Sequence, residues 1–157
     1  MVAGLADPAP AATYIQGEQR MSGDTSGGTQ VLQACDAELN ALLGRLPALR
    51  FASLSTVDGR AVLAAGRLTD TAVERVAAVS SSLLALGEAF ARETAGSAYR
   101  HTTITADDGL IVVARVPSSR QRLALAVGCD HGGNLALLLG CALDSAAALT
   151  RIVDRAA

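Results

Sequence analysis

The chain has 157 residues and a formal net charge of −2; half its residues are apolar and only 3% are aromatic. That is enough chain for one domain with an aliphatic core, and it is too apolar for disorder over most of its length. All 13 basic residues are arginine, which excludes a phosphate-loop lysine, a Schiff-base lysine and a lysine general base.

Residues 1–28 read as a disordered N-terminal tail, and 29–157 as one domain. Ala, Gly, Pro, Ser and Thr dominate the tail, and the Ser-Gly-Asp-Thr-Ser-Gly-Gly run at 22–28 has no apolar period to offset its ordering entropy. That run has no strand before it and no lysine after it, so it is a flexible segment rather than a phosphate cradle. Met1 and Met21 are both open as the natural start. The N-terminus lacks a basic region, and Asp7, Pro8 and Pro10 interrupt its apolar start. Three cysteines without C-x-x-C spacing, Cys35, Cys129 and Cys141, read as reduced thiols, and the expected location is cytoplasmic.

Apolar residues at 31, 32, 35, 39, 42, 43 and 46 predict a helix over 31–46 that Pro47 ends. A strand over 50–57 follows. Asp58-Gly59 turns the chain into a second strand, 60–66, because glycine takes positive φ without steric cost. A long helix is predicted over 69–92. Thr71 with Glu74 has the capping-box pattern, and Asp70 suits the positive end of the helix dipole. Val73, Val76, Ser80, Leu83, Gly87 and Phe90 form its core stripe, with Leu86 beside it. Ala78, Ser82, Ala85 and Ala89 form a second face made only of small residues. Two readings of that face stand open: packing on the sheet, or packing on a second copy of the helix.

The strand over 99–106 is β-prone but weakly apolar, with Thr102 and Ile104 on one face. Asp107-Asp108-Gly109 turns it into a nearly continuous aliphatic strand, 110–116, expected to be central. A strand over 121–128 follows. Gly132-Gly133-Asn134 then leads into a helix striped by Leu135, Leu138, Leu139, Ala142, Ala146, Leu149 and Val153. The apolar run 135–143 is far short of the roughly 20 residues that span a bilayer, so no membrane insertion is expected.

The order is α-β-β-α-β-β-β-α, an α+β domain with a five-stranded antiparallel sheet and helices on both faces. The stretch 49–91, LRFASLSTVDGRAVLAAGRLTDTAVERVAAVSSSLLALGEAFA, resembles the Roadblock / dynein light chain family. HTTITADDGLIVVARV and RLALAVG are similar to that family's second hairpin and last strand. The likeness covers about residues 30–155; Leu46-Pro47-Ala48 departs from it where the family often has a glycine. The resemblance implies a profilin-like topology and a homodimer joined through the edge strand 99–106, with the 69–92 helices adjacent. Ala78, Ser82, Ala85, Ala89, Thr102 and Ile104 are the interface residues this suggests. It also implies a partner: bacterial members commonly bind and regulate a small Ras-like GTPase. All-arginine basicity fits a GC-rich bacterial genome. The competing reading is a small-molecule sensor module of profilin- or PAS-like topology, which the aliphatic composition disfavours.

No catalytic, cofactor-binding or metal-binding residues are expected. Cys129 and His131 are two candidate soft-metal ligands without an evident third. Cys129 or Cys141 with His101 or His131 makes a weak nucleophile–base pair, and a buried apolar thiol explains each cysteine better. Asp58, Asp107 and Asp108 are explained by their turns. Arg60, Arg67, Arg75 and Arg92 are candidates to meet an acidic partner or a nucleotide phosphate in trans. The arginines are scattered and lack stacking aromatics, so no nucleic acid is expected as a partner.

Overall fold

A computed structural model describes residues 14–15 and 25–156. The elements are β1 (Tyr14–Ile15), α1 (Thr25–Arg45), β2 (Leu49–Thr56), β3 (Ala61–Gly66), α2 (Asp70–Thr94), β4 (His101–Ala106), β5 (Gly109–Val116), β6 (Leu123–Asp130) and α3 (Leu135–Arg155). The expected five antiparallel strands form one sheet, and β1 adds a two-residue ribbon to it, giving the order β1-β3-β2-β6-β5-β4.

The boundary expected at residue 29 needs correction. Helix α1 starts at Thr25, and Tyr14–Ile15 pairs with Leu63 and Ala64 of β3. A nucleated helix gains one backbone hydrogen bond per added residue, so α1 runs past its apolar stripe. Residues 1–13 and 16–24 of the expected tail lie outside the described residues.

The first hairpin closes as the sequence predicts. Thr56 N–H donates to the Arg60 carbonyl at 2.9 Å, and Gly59 takes φ +92°. The second hairpin works differently. Gly109 does not have positive φ; its missing side chain makes room for the Cys129 carbonyl, which a Cβ would meet at 2.3 Å.

The sheet carries two unequal layers. On one face, Leu54, Leu63, Val112, Val116, Leu125 and Val127 pack against Cys35, Leu39 and Leu42 of α1 and Leu138, Ala142 and Leu149 of α3. A polar clamp joins the two helices there: the fully buried Ser145 hydroxyl donates to Glu38 Oε1 at 2.6 Å, and Arg45 Nη2 donates to Ser145 Oγ at 2.7 Å. Among the described residues, α3 is the one helix long and apolar enough to cross a membrane. Its buried stripe and its clamp to α1 make it a core helix here.

Among the described residues, the other face carries only the helix α2. The strands present small residues to it: Ser53, Ser55, Ala64, Ala124 and Ala126 are all buried. Gly128 lies on the same strand, and a Cβ there would meet the Phe51 ring at 2.3 Å. Close approach of helix to sheet is achieved by these small strand residues together with Ala77 and Ser80 on the inner face of α2. The α2 N-cap is Thr69, whose Oγ1 accepts from Ala72 N–H at 3.2 Å, rather than Thr71. Thr69 has the extended backbone that a cap requires, whereas Thr71 already lies inside the helix.

Candidate functional site

Helix α2 buries Val73, Ala77, Ser80 and Leu84 against the sheet. Ala78, Val79, Ser82, Ala85, Leu86 and Phe90 are exposed. Val79, Leu86 and Phe90 keep 57%, 68% and 71% of their surface, and steps of seven and four place them along one line of the helix. Three large apolar side chains in a row form a patch rather than the scatter normal on a soluble surface.

This placement removes one of the two readings of the small-residue face, packing on the sheet. Ala78, Ser82 and Ala85 point away from the sheet, and Ala89 is half-buried, so helix-on-sheet packing does not use them. Phe90 also needs correction, because it is exposed and does not belong to the core stripe, and Leu86, expected beside that stripe, is exposed as well. At 3.6 residues per turn, Phe90 lies about 100° around the helix from Val73. The next inward positions are taken by Gly87, set against Tyr99, and by Glu88, which pairs with Arg115 of β5.

Strand β4 ends the sheet, and its outer edge has no strand partner among the described residues. Thr102 stands opposite Val113 and Ile104 opposite Ile111. Val113 and Ile111 belong to the apolar cluster under α2, so Thr102 and Ile104, both half-buried, lie on the α2 side. Tyr99 ties the two parts together. Its ring packs on Gly87, and its hydroxyl is hydrogen-bonded to Thr102 Oγ1. Burial raises the Tyr99 pKa, and the Thr102 hydrogen bond opposes that shift. The structure thus brings the six expected interface positions to one side of the molecule.

The other candidates do not converge. Cys129 is buried at the end of β6, while His131 is exposed in the turn beyond it. Among the described residues no three His, Cys, Asp or Glu side chains gather to hold a metal. Burial, helped by Glu38, pushes the Cys35 thiol up to about 11, so it is not a thiolate near neutral pH. Arg60 contacts Asp58 at 3.4 Å. Arg67, Arg75 and Arg92 are exposed, with Arg75 one turn before the apolar patch of α2.

Residues 36–120 match the profile of the Roadblock/LC7 domain. The chain belongs to the Roadblock/LC7 family. No curated protein sequence shows a significant match. Solved structures with this fold include a Roadblock/LC7 domain from Streptomyces avermitilis, at 22% identity and TM-score 0.67, covering 75% of this chain and 96% of that one. MglB from Myxococcus xanthus is similar at 14% identity and TM-score 0.70, covering 80% of this chain and 92% of that one. The gliding protein MglB from Thermus thermophilus is similar at 16% identity and TM-score 0.68, covering 80% and 92%. As a Roadblock domain, this chain keeps the expected five-stranded antiparallel core, with α2 on one face and α1 and α3 on the other.

Sequence reasoning missed Val79 and the Tyr99–Gly87 contact, and it assigned Phe90 to the core stripe and Leu86 to its margin instead of to an exposed line. The spacing of 79, 86 and 90 was a helical signal. Periodicity alone does not say which of two apolar faces is covered.

Proposed function

We propose that this Roadblock domain is a non-enzymatic, cytoplasmic regulator or scaffold of a small Ras-like GTPase and that it acts as a homodimer. The observation that carries the reading is the exposed apolar line Val79–Leu86–Phe90 on α2 beside the open edge of β4. An unpaired edge and an uncovered apolar helix on one side of a chain are together what a second copy covers. The Ras-like partner follows from the family resemblance. The exposed Arg75, one turn before this line on α2, suits contact with an acidic surface.

The test is titration of the purified chain against a Ras-like GTPase from the same genome, loaded with GDP or with a non-hydrolysable GTP analogue. The expected result is a complex that depends on the nucleotide, or a changed rate of GTP turnover or nucleotide release. GTP binding or hydrolysis by this chain alone would overturn the reading.

A further inference from the structure

The open edge of β4 carries its charges at opposite ends. Arg100 precedes the strand, and its carbonyl accepts the Arg115 N–H at 3.2 Å. Asp107 and Asp108 follow it in the turn to β5. Arg100, Asp107 and Asp108 are exposed, and none has an ion-pair partner among the described residues. His101, the first strand residue, has a buried Nδ1 without a hydrogen-bond partner.

Symmetry restricts how this edge meets a second copy. The uncovered line of α2 lies on the same side as Thr102 and Ile104, so a pairing that covers both features keeps both α2 helices on one face of a joined sheet. That requires a two-fold axis perpendicular to the sheet, with the strands antiparallel. Opposite residues in an antiparallel pair point to the same face, and such an axis preserves the face. The axis therefore passes through a residue, never between two. For the six-residue strand His101–Ala106, only Thr103 or Ile104 on the axis keeps five residues paired. With Thr103 on the axis, Arg100 falls opposite Ala106 and no charges match. With Ile104 on the axis, Arg100 falls opposite Asp108 of the second copy and His101 opposite its Asp107, and symmetry repeats both contacts at the other end.

We infer that β4 selects a second copy of this chain by charge complementarity at its two ends, with Ile104 on the two-fold axis. The arrangement sets the exposed Arg100 against the exposed Asp108 of the second copy, once at each end of the paired strands. It brings the two Ile104 side chains together on the α2 side. A chain lacking either end charge is discriminated against, because like or unpaired charges at the ends oppose pairing. The inference rests on the dimer reading above and adds its register and its selectivity.

Two measurements test it. In a Cys141→Ser background, Ile104→Cys should form an intermolecular disulfide under mild oxidation and Thr103→Cys should not, since only a residue opposite itself brings its Cβ atoms within bonding reach. Separately, Arg100→Asp and the double variant Asp107→Arg/Asp108→Arg should each self-associate about tenfold more weakly than the unaltered chain at about 50 mM salt, where exposed charges are least screened. Mixed together, those two variants should form a heterodimer, because each then offers the other complementary ends. Cross-linking through Thr103→Cys instead, or no preference of the swapped variants for each other, overturns the register while the dimer stands. A monomeric unaltered chain overturns the dimer reading and this inference with it.

Discussion

The ring of Tyr99 occupies the space a side chain at Gly87 would need: a Cβ there would lie 2.3 Å from Cε2 and 2.6 Å from Cζ. This contact fixes the C-terminal half of α2 against the chain that enters the edge strand. Both halves of the proposed dimer surface are positioned through it. Gly87→Ala should force the ring out and break the Tyr99–Thr102 hydrogen bond. Alanine's helix preference of about 1 kcal/mol over glycine offsets part of that loss, leaving a net cost of about 0–2 kcal/mol. Thermal unfolding checks this. Tyr99→Phe keeps the ring and loses only the hydroxyl, so it should cost about 1 kcal/mol.

Light scattering at micromolar concentration should give about twice the chain mass of 15.9 kDa. Phe90→Glu and Ala85→Arg should shift that mass towards the monomer. Both sites are exposed in the single chain, so the dissociated variant should stay folded and melt cooperatively, below the unaltered chain only by the stabilisation that dimerisation adds. Unfolding of Ala85→Arg would instead mean that its face is covered within the chain.

Ser145→Ala should destabilise the α1–α3 layer. It removes a buried hydroxyl that donates to Glu38 and accepts from Arg45. The loss should be about 1–3 kcal/mol, read as a shift in the denaturant midpoint. Ser82→Ala, at an exposed site on α2, should leave the midpoint in place.

Cys35 predicts an alkaline weakness. Its thiol is raised from 9.0 to about 11 in the folded chain. The unfolded chain therefore releases this proton first, and stability falls as pH rises from the unfolded pKa to the folded one. The contribution is fully present below pH 9 and lost by about pH 11. Comparing Cys35→Ala with the unaltered chain isolates it, because the variant should show a shallower decline over that interval. At neutral pH a thiol reagent should react with the half-buried Cys141 before the buried Cys35 and Cys129.

Removing residues 1–24 should cost little. Of the described residues it deletes only β1, which pairs at Tyr14 and Ile15. The melting temperature should fall by no more than about 4 °C, the shift of roughly 1 kcal/mol in a domain of this size. Removing residues 1–28 also cuts the first turn of α1 and should cost more.

The sequence by itself determined the kinds of element, their order and the family. Those properties are carried by local signals: the Asp58-Gly59 turn, the aliphatic run of β5, Pro47 after α1 and the stripe of α3. It also marked two faces on α2. Which face meets the sheet was decided by residues far away in the chain, since Ser53, Ala64, Ala124 and Ala126 are small enough to receive Val73, Ala77 and Leu84. That contact turned Ala78, Ser82, Ala85, Leu86 and Phe90 outwards. The same holds for Gly109, whose need is set by the Cys129 carbonyl, and for Gly87, whose need is set by a ring twelve residues on. Hydrophobic periodicity records that a helix has sides. Close packing between distant segments decides what each side touches, and that information exists only once the chain is folded.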